Sequence, residues 1–99
     1  MHIPKQLKIN RRLYKVRTPK HITRKGAMGE TDHERRLIDV ATHSNLNNRS
    51  FKSEEISDTF WHELTHAILY EMQHPLWCDE AFVTKFSAHL DEAIRTAKF

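Results

Sequence analysis

The sequence predicts an α+β domain, a small antiparallel three-stranded sheet followed by two packed helices. Three observations predict it. Short apolar clusters bounded by turn residues fill the first half, the apolar period becomes helical from residue 53, and 99 residues leave room for one core. Strands that precede helices, rather than alternating with them, are the α+β order.

The first two strands lie between Gln6 and Val16, where Leu7 and Ile9 flank Lys8 and Leu13, Tyr14 and Val16 follow a turn at Asn10-Arg11-Arg12. Thr18-Pro19 closes the second strand, because proline cannot donate to a ladder. Residues 20–30 are polar, contain Gly26 and Gly29, and read as a loop. A third strand is expected from Arg36 to Thr42, with Leu37, Ile38, Val40 and Ala41 around Asp39, and its edge is a candidate for adding an extended peptide. Ser53 is the expected cap of the first helix, with Glu54 and Glu55 in the first turn, where the helix dipole favours acids. Ile56, Phe60, Leu64, Ala67 and Ile68 give its buried face, and Pro75 requires it to stop near Gln73. The second helix runs from Asp79 to Ala97, with Val83, Phe86, Leu90, Ile94 and Ala97 as its apolar stripe.

Charge is unevenly placed. Residues 1–29 hold nine of the sixteen Lys and Arg and no acid, so they carry +9, while residues 30–99 carry −6. Basic residues between 5 and 25 are therefore a candidate contact for nucleic acid or an acidic protein, against the plainer reading of a solvated hairpin. Cys78 is the single cysteine, so no internal disulfide forms, as suits a reducing compartment. No apolar run reaches the roughly 18 residues of a membrane span, and Met1-His2-Ile3-Pro4-Lys5 is not a secretion signal. A cytoplasmic location is expected.

The chemistry concentrates at His62-Glu63-Leu64-Thr65-His66. Histidines four apart on a helix share a face and can close on one ion, while Glu63 lies about 100° around the helix, beside the ion but not on it. That is the arrangement of a metal-bound water with an adjacent general base. With eight His and eight Glu in the chain, chance would produce the pattern about 0.05 times. A catalytic zinc needs a third protein ligand, and Glu80, Asp79, Cys78, His74 and His89 are the candidates. Glu80 fits best, because it opens the second helix fourteen positions after His66, which allows an antiparallel return.

Thr59 to Leu69, with Asp79-Glu80-Ala81-Phe82-Val83, resembles the small phage-encoded, SprT-like metallopeptidases of the gluzincin type. The segment is also similar to the core of the ImmA/IrrE proteases, whose second helix reads Glu-x-x-Ala-x-x-Phe-Ala; here Glu80, Val83, Phe86 and Ser87 stand in that register. The likeness to the phage proteins extends to a basic N-terminal hairpin and to a Gly29-Glu30-Thr31 loop. It implies a minimal zincin-like fold spanning 1–99, with a basic hairpin and edge strand in 1–50 and a two-helix metal core in 51–99. It further implies Zn2+ on His62, His66 and Glu80, Glu63 as base, and a protein substrate, for a phage protein one in the cytoplasm of the bacterial host. Larger gluzincins place an aspartate four positions after the ligand glutamate; Thr84 stands there, and Asp58, one turn before His62, is the candidate substitute. Tyr70, one turn after His66, is a candidate oxyanion donor, although a helical tyrosine beside Leu69 and Met72 is more often packing. Trp61 and Trp77 are expected to flank the helix–helix core. Two rival readings stand beside the peptidase: a zinc-stabilised module that sequesters a host protein without cutting it, and a nucleic-acid-associated protein.

Overall fold

The computed structural model describes residues 3–99. Six elements follow one another: β1 (Gln6–Ile9), β2 (Arg12–Arg17), β3 (Gly29–Asp32), β4 (Leu37–Val40), α1 (Ser53–Glu71) and α2 (Glu80–Thr96). The class is the expected α+β, but the sheet has four strands and is mixed. Its order is β1-β2-β4-β3, with β2 and β4 parallel and the other two pairs antiparallel. The additional strand is β3, taken from sequence as part of a loop. Gly-Glu-Thr-Asp carries no apolar residue to mark it, and pairing with β4 makes it a strand. The strand Leu37–Val40 is consequently interior, and β3 is the edge strand beside it.

Asn10 and Arg11 form a two-residue turn between β1 and β2, with φ of 52° and 65°. Positive φ at both central residues matches the right-handed twist of the strands they join. Arg12 is therefore in β2, not in the turn. Alternation then sends Tyr14 and Val16 of β2 and Ile38 and Val40 of β4 to one face, where Phe60, Leu64 and Ala67 of α1 cover them. A second small cluster, Ile22, Ala41 and Phe51, roots the segment between β2 and β3.

Lys52, not Ser53, is the N-cap of α1, and the Glu55 carboxylate accepts its backbone N–H at 2.9 Å. The other end closes as a Schellman motif. Gln73 takes φ of 55°, its N–H reaches the Tyr70 carbonyl, and the His74 N–H reaches Leu69. Glu71 accepts from Tyr14 Oη at 2.5 Å and from Arg12 Nη1 at 2.9 Å, tying the hairpin to the last turn of α1.

The packing face of α2 also differs from the apolar stripe read in the sequence. Val83, Ser87 and Asp91 are buried against α1, and Asp91 accepts from Ser57 Oγ at 2.6 Å. Phe86 and Ile94 are 48% and 40% exposed. The choice follows from spacing: Val83, Ser87 and Asp91 are four apart, the first two are small enough for close approach, and Asp91 is bonded to the partner helix. Among the described residues no helix is long and apolar enough to cross a membrane.

Candidate metal centre

α1 presents His62 and His66 one turn apart, and the 72–79 connection decides what meets them. Its turns are closed by Leu76 N–H on His74 Nδ1, Trp77 N–H on the His74 carbonyl and Asp79 N–H on the Leu76 carbonyl. Asp79 then caps α2 by accepting the Phe82 N–H at 2.9 Å. Two of the alternative ligands are thereby occupied in local structure, and Glu80 becomes the first residue of α2.

Glu80 Oε2 lies 3.1 Å from His62 Nε2 and Oε1 lies 2.8 Å from His66 Nε2; the two Nε2 atoms are 3.3 Å apart. These groups form a cluster that could hold a metal ion, and neither Cys78 nor His89 belongs to it. The chemistry of the donors supports that use. His66 Nδ1 is 2.7 Å from the Trp77 carbonyl, which can only accept, so Nδ1 carries a proton and Nε2 is the nitrogen turned toward the cluster. Donors about 2.0–2.1 Å from a tetrahedral ion stand roughly 3.3–3.4 Å apart, close to the spacing seen here. The Trp77 carbonyl is thus the group that orients His66, a function the sequence could not show because a backbone atom performs it.

Glu63 is 8% exposed and accepts from Thr31 Oγ1 at 2.8 Å. Burial pushes its carboxyl above the ordinary value, opposed by the Thr31 hydroxyl and by His62 and His66. β3 approaches α1 closely enough for this contact because Gly29 has no side chain. A Cβ there would meet Thr59 Cγ2 at 2.7 Å, the Asp39 carbonyl oxygen at 3.0 Å and Glu63 Cγ at 3.1 Å.

The cluster opens on a cavity of about 370 Å³, also lined by Thr31, His33 and Trp77. His33, which no sequence motif marks, packs against Tyr70 at 4.3 Å and Trp77 at 5.2 Å, and its buried Nδ1 has no partner among the described residues. Burial, and then the neighbouring His66, lower its pKa. Tyr70 supports the His33 ring and does not itself line the cavity. Trp77 belongs to this wall rather than to a helix–helix core, whereas Trp61 packs beside Phe60 on the main core. Asp58 makes no hydrogen bond to His62 among the described residues; with Thr84 it lines a second cavity of about 310 Å³ beyond His62.

Of the basic N-terminal residues, Arg12 is paired with Glu71 and Arg17 with Asp39. The rest are spread over the hairpin and the loop after it. Compared with family models, with curated proteins and with solved structures, the chain has no significant match.

Proposed function

We propose that this chain is a zinc metallopeptidase of the gluzincin type. The observation that carries the reading is the meeting of His62, His66 and Glu80 beside a buried Glu63 that is not part of the ligand cluster. Two imidazole nitrogens, one carboxylate and an open side are the donor set of catalytic zinc rather than of a closed structural site. Zinc, when bound, supplies Lewis acidity and lowers the pKa of its water. Glu63 accepts the proton of the attacking water and delivers it to the leaving amine, and the Thr31 hydroxyl holds the carboxylate in place for both transfers. His66 is kept in its metal-binding tautomer by the Trp77 carbonyl.

The substrate strand adds to β3, not to β4. β3 is one of the two edge strands, and its Thr31 touches Glu63, so an extended peptide along it passes beside the metal centre. Selection of one protein target falls to this edge and the two cavities.

Glu63→Gln tests the reading. It keeps the volume and removes the base, so zinc remains bound while peptide cleavage falls by a factor of about 10² or more. Unchanged cleavage would remove the mechanism. A host effect that survives Glu63→Gln but disappears with His66→Ala identifies the sequestering module instead. Binding of DNA or RNA that weakens steeply with salt supports the nucleic-acid reading.

A further inference from the structure

The two cavities flank the metal centre, one lined by Thr31, His33 and Trp77, the other by Asp58, Thr59 and Thr84. Only three residues line both: His62, Glu63 and Arg24. The first two belong to the centre already described. Arg24 does not, and it is the only lysine or arginine in either lining.

Its backbone is gripped. Asn45 Nδ2 donates to the carbonyl oxygens of Ile22 at 2.6 Å and Arg24 at 2.8 Å, and Asn45 Oδ1 accepts from Gly26 N–H at 2.9 Å. The Ala27 N–H closes a turn on the Arg24 carbonyl at 3.0 Å, and Ile22 anchors the segment in the cluster with Ala41 and Phe51. The guanidinium, by contrast, has no hydrogen bond or ion pair to any described residue. The carboxylates at the cavities do not take it up. Glu63 is engaged by Thr31 and Glu80 by the two histidines, and neither Glu30 nor Asp58 pairs with Arg24.

We infer that Arg24 selects the substrate by receiving a peptide carboxylate, from an acidic side chain or a free C-terminus, next to the bond presented to Glu63. The inference rests on the peptidase-cleft reading and adds the substrate class to it. A fixed backbone with an uncommitted planar fork is what bidentate capture of a carboxylate requires, and arginine loses little on ordering for it. Beside a divalent cation the same carboxylate is attracted twice.

The test uses the zinc-loaded Glu63→Gln protein and fluorescein-labelled alanine hexapeptides. A single Glu or Gln is moved through the six positions, and each peptide is made with a free or an amidated C-terminus. Glu at one position should bind about tenfold more tightly than Gln, the size of a charge-assisted bond. If the gain follows the free C-terminus alone, the carboxylate is terminal; if it survives amidation, it is a side chain. Adding Arg24→Gln should abolish the preference without changing zinc content or melting, because the guanidinium supports nothing in the fold. Arg24→Glu should turn the preference toward Lys. Equal binding of all peptides, no binding by any, or a preference unaltered by Arg24→Gln overturns the inference. Cleavage of the same peptides by the unsubstituted protein separates the two readings. Acid-selective binding without cleavage removes the peptidase and leaves the carboxylate site, whereas cleavage indifferent to the carboxylate removes Arg24's role alone.

Discussion

Replacing Gly29 by alanine would drive a methyl group into the contact on which the site is built. The new Cβ would stand 2.7 Å from Thr59 Cγ2, 3.0 Å from the Asp39 carbonyl oxygen and 3.1 Å from Glu63 Cγ. Carbon atoms settle at about 3.5–4.0 Å, so β3 must recede from α1 by roughly 0.8 Å or the helix must yield. Thr59 is 8% exposed and Glu63 equally covered, so neither can swing into solvent. Overpacking of this kind costs about 1–3 kcal/mol, and 2 kcal/mol in a domain this small lowers the melting midpoint by about 8–16 °C. The same displacement lengthens the Thr31–Glu63 bond. A misplacement near 1 Å at a catalytic group costs on the order of a hundredfold in rate. Thermal melting and peptide cleavage measure the two effects separately. Thr59→Ser removes the closest obstacle, so the double variant should recover part of the loss, with a coupling of about 0.5–3 kcal/mol. A Gly29→Ala protein with unchanged midpoint and unchanged cleavage would refute the close approach of β3 and the role given to Thr31.

Thr31→Val keeps the strand and the volume but removes the donor to Glu63; cleavage should fall about tenfold with zinc affinity retained. Its acidic limb should move to higher pH, because the hydroxyl now opposes the upward push of burial on the Glu63 carboxyl and the base must be ionised to act. Glu71→Gln reports on stability. The Tyr14 hydroxyl, then Arg12, hold the Glu71 carboxyl below its ordinary value of 4.5. Its contribution is therefore complete above about pH 4.5 and is lost as pH falls through the lowered value. Urea unfolding should show the unsubstituted protein more stable than Glu71→Gln at neutral pH, with the gap closing in acid; a gap independent of pH would refute the anchor.

What the sequence made legible is what a single helix encodes. The 62–66 spacing determines which atoms share a face whatever the rest of the chain does, and Asp79 before Glu80 is a local signal that starts α2 where Glu80 meets the two histidines. What it concealed depends on topology. β3 has no apolar residue, so no period announces it; Gly29, Thr31 and His33 acquire meaning only when β4 pairs with that segment and sets it against α1. Arg24 reaches the centre because Asn45, twenty-one positions later, holds its loop. The face of α2 was misread for a related reason. A periodic apolar stripe marks an amphipathic helix, but close approach to α1 selected Val83, Ser87 and Asp91, leaving Phe82, Phe86 and Leu90 around an apolar groove of about 280 Å³ with Ile68 and Met72.

A bound metal would be a structural element as well as a chemical one. α2 buries only Val83 of its large apolar side chains, and Glu80 is 70% exposed at its side chain, so little besides the ion would hold the first turn of α2 to His62 and His66. An ion gripped from both helices closes the 72–79 connection, and any ligand that binds only the folded form stabilises it by mass action, by about 2.7 kcal/mol at a hundredfold excess over Kd. Removing zinc with a chelator should therefore lower the melting midpoint and expose α2 to proteolysis before the sheet and α1. Readdition should restore both, and Glu80→Gln should show neither response at the same zinc concentration. The chelated protein should keep its α1–sheet core, because Tyr14, Ile38, Val40 and Phe60 are buried without help from the ion. If melting and proteolysis of the intact sequence were indifferent to zinc, the two helices would not share an ion, and the geometry of His62, His66 and Glu80 would have to be explained as an ion pair alone.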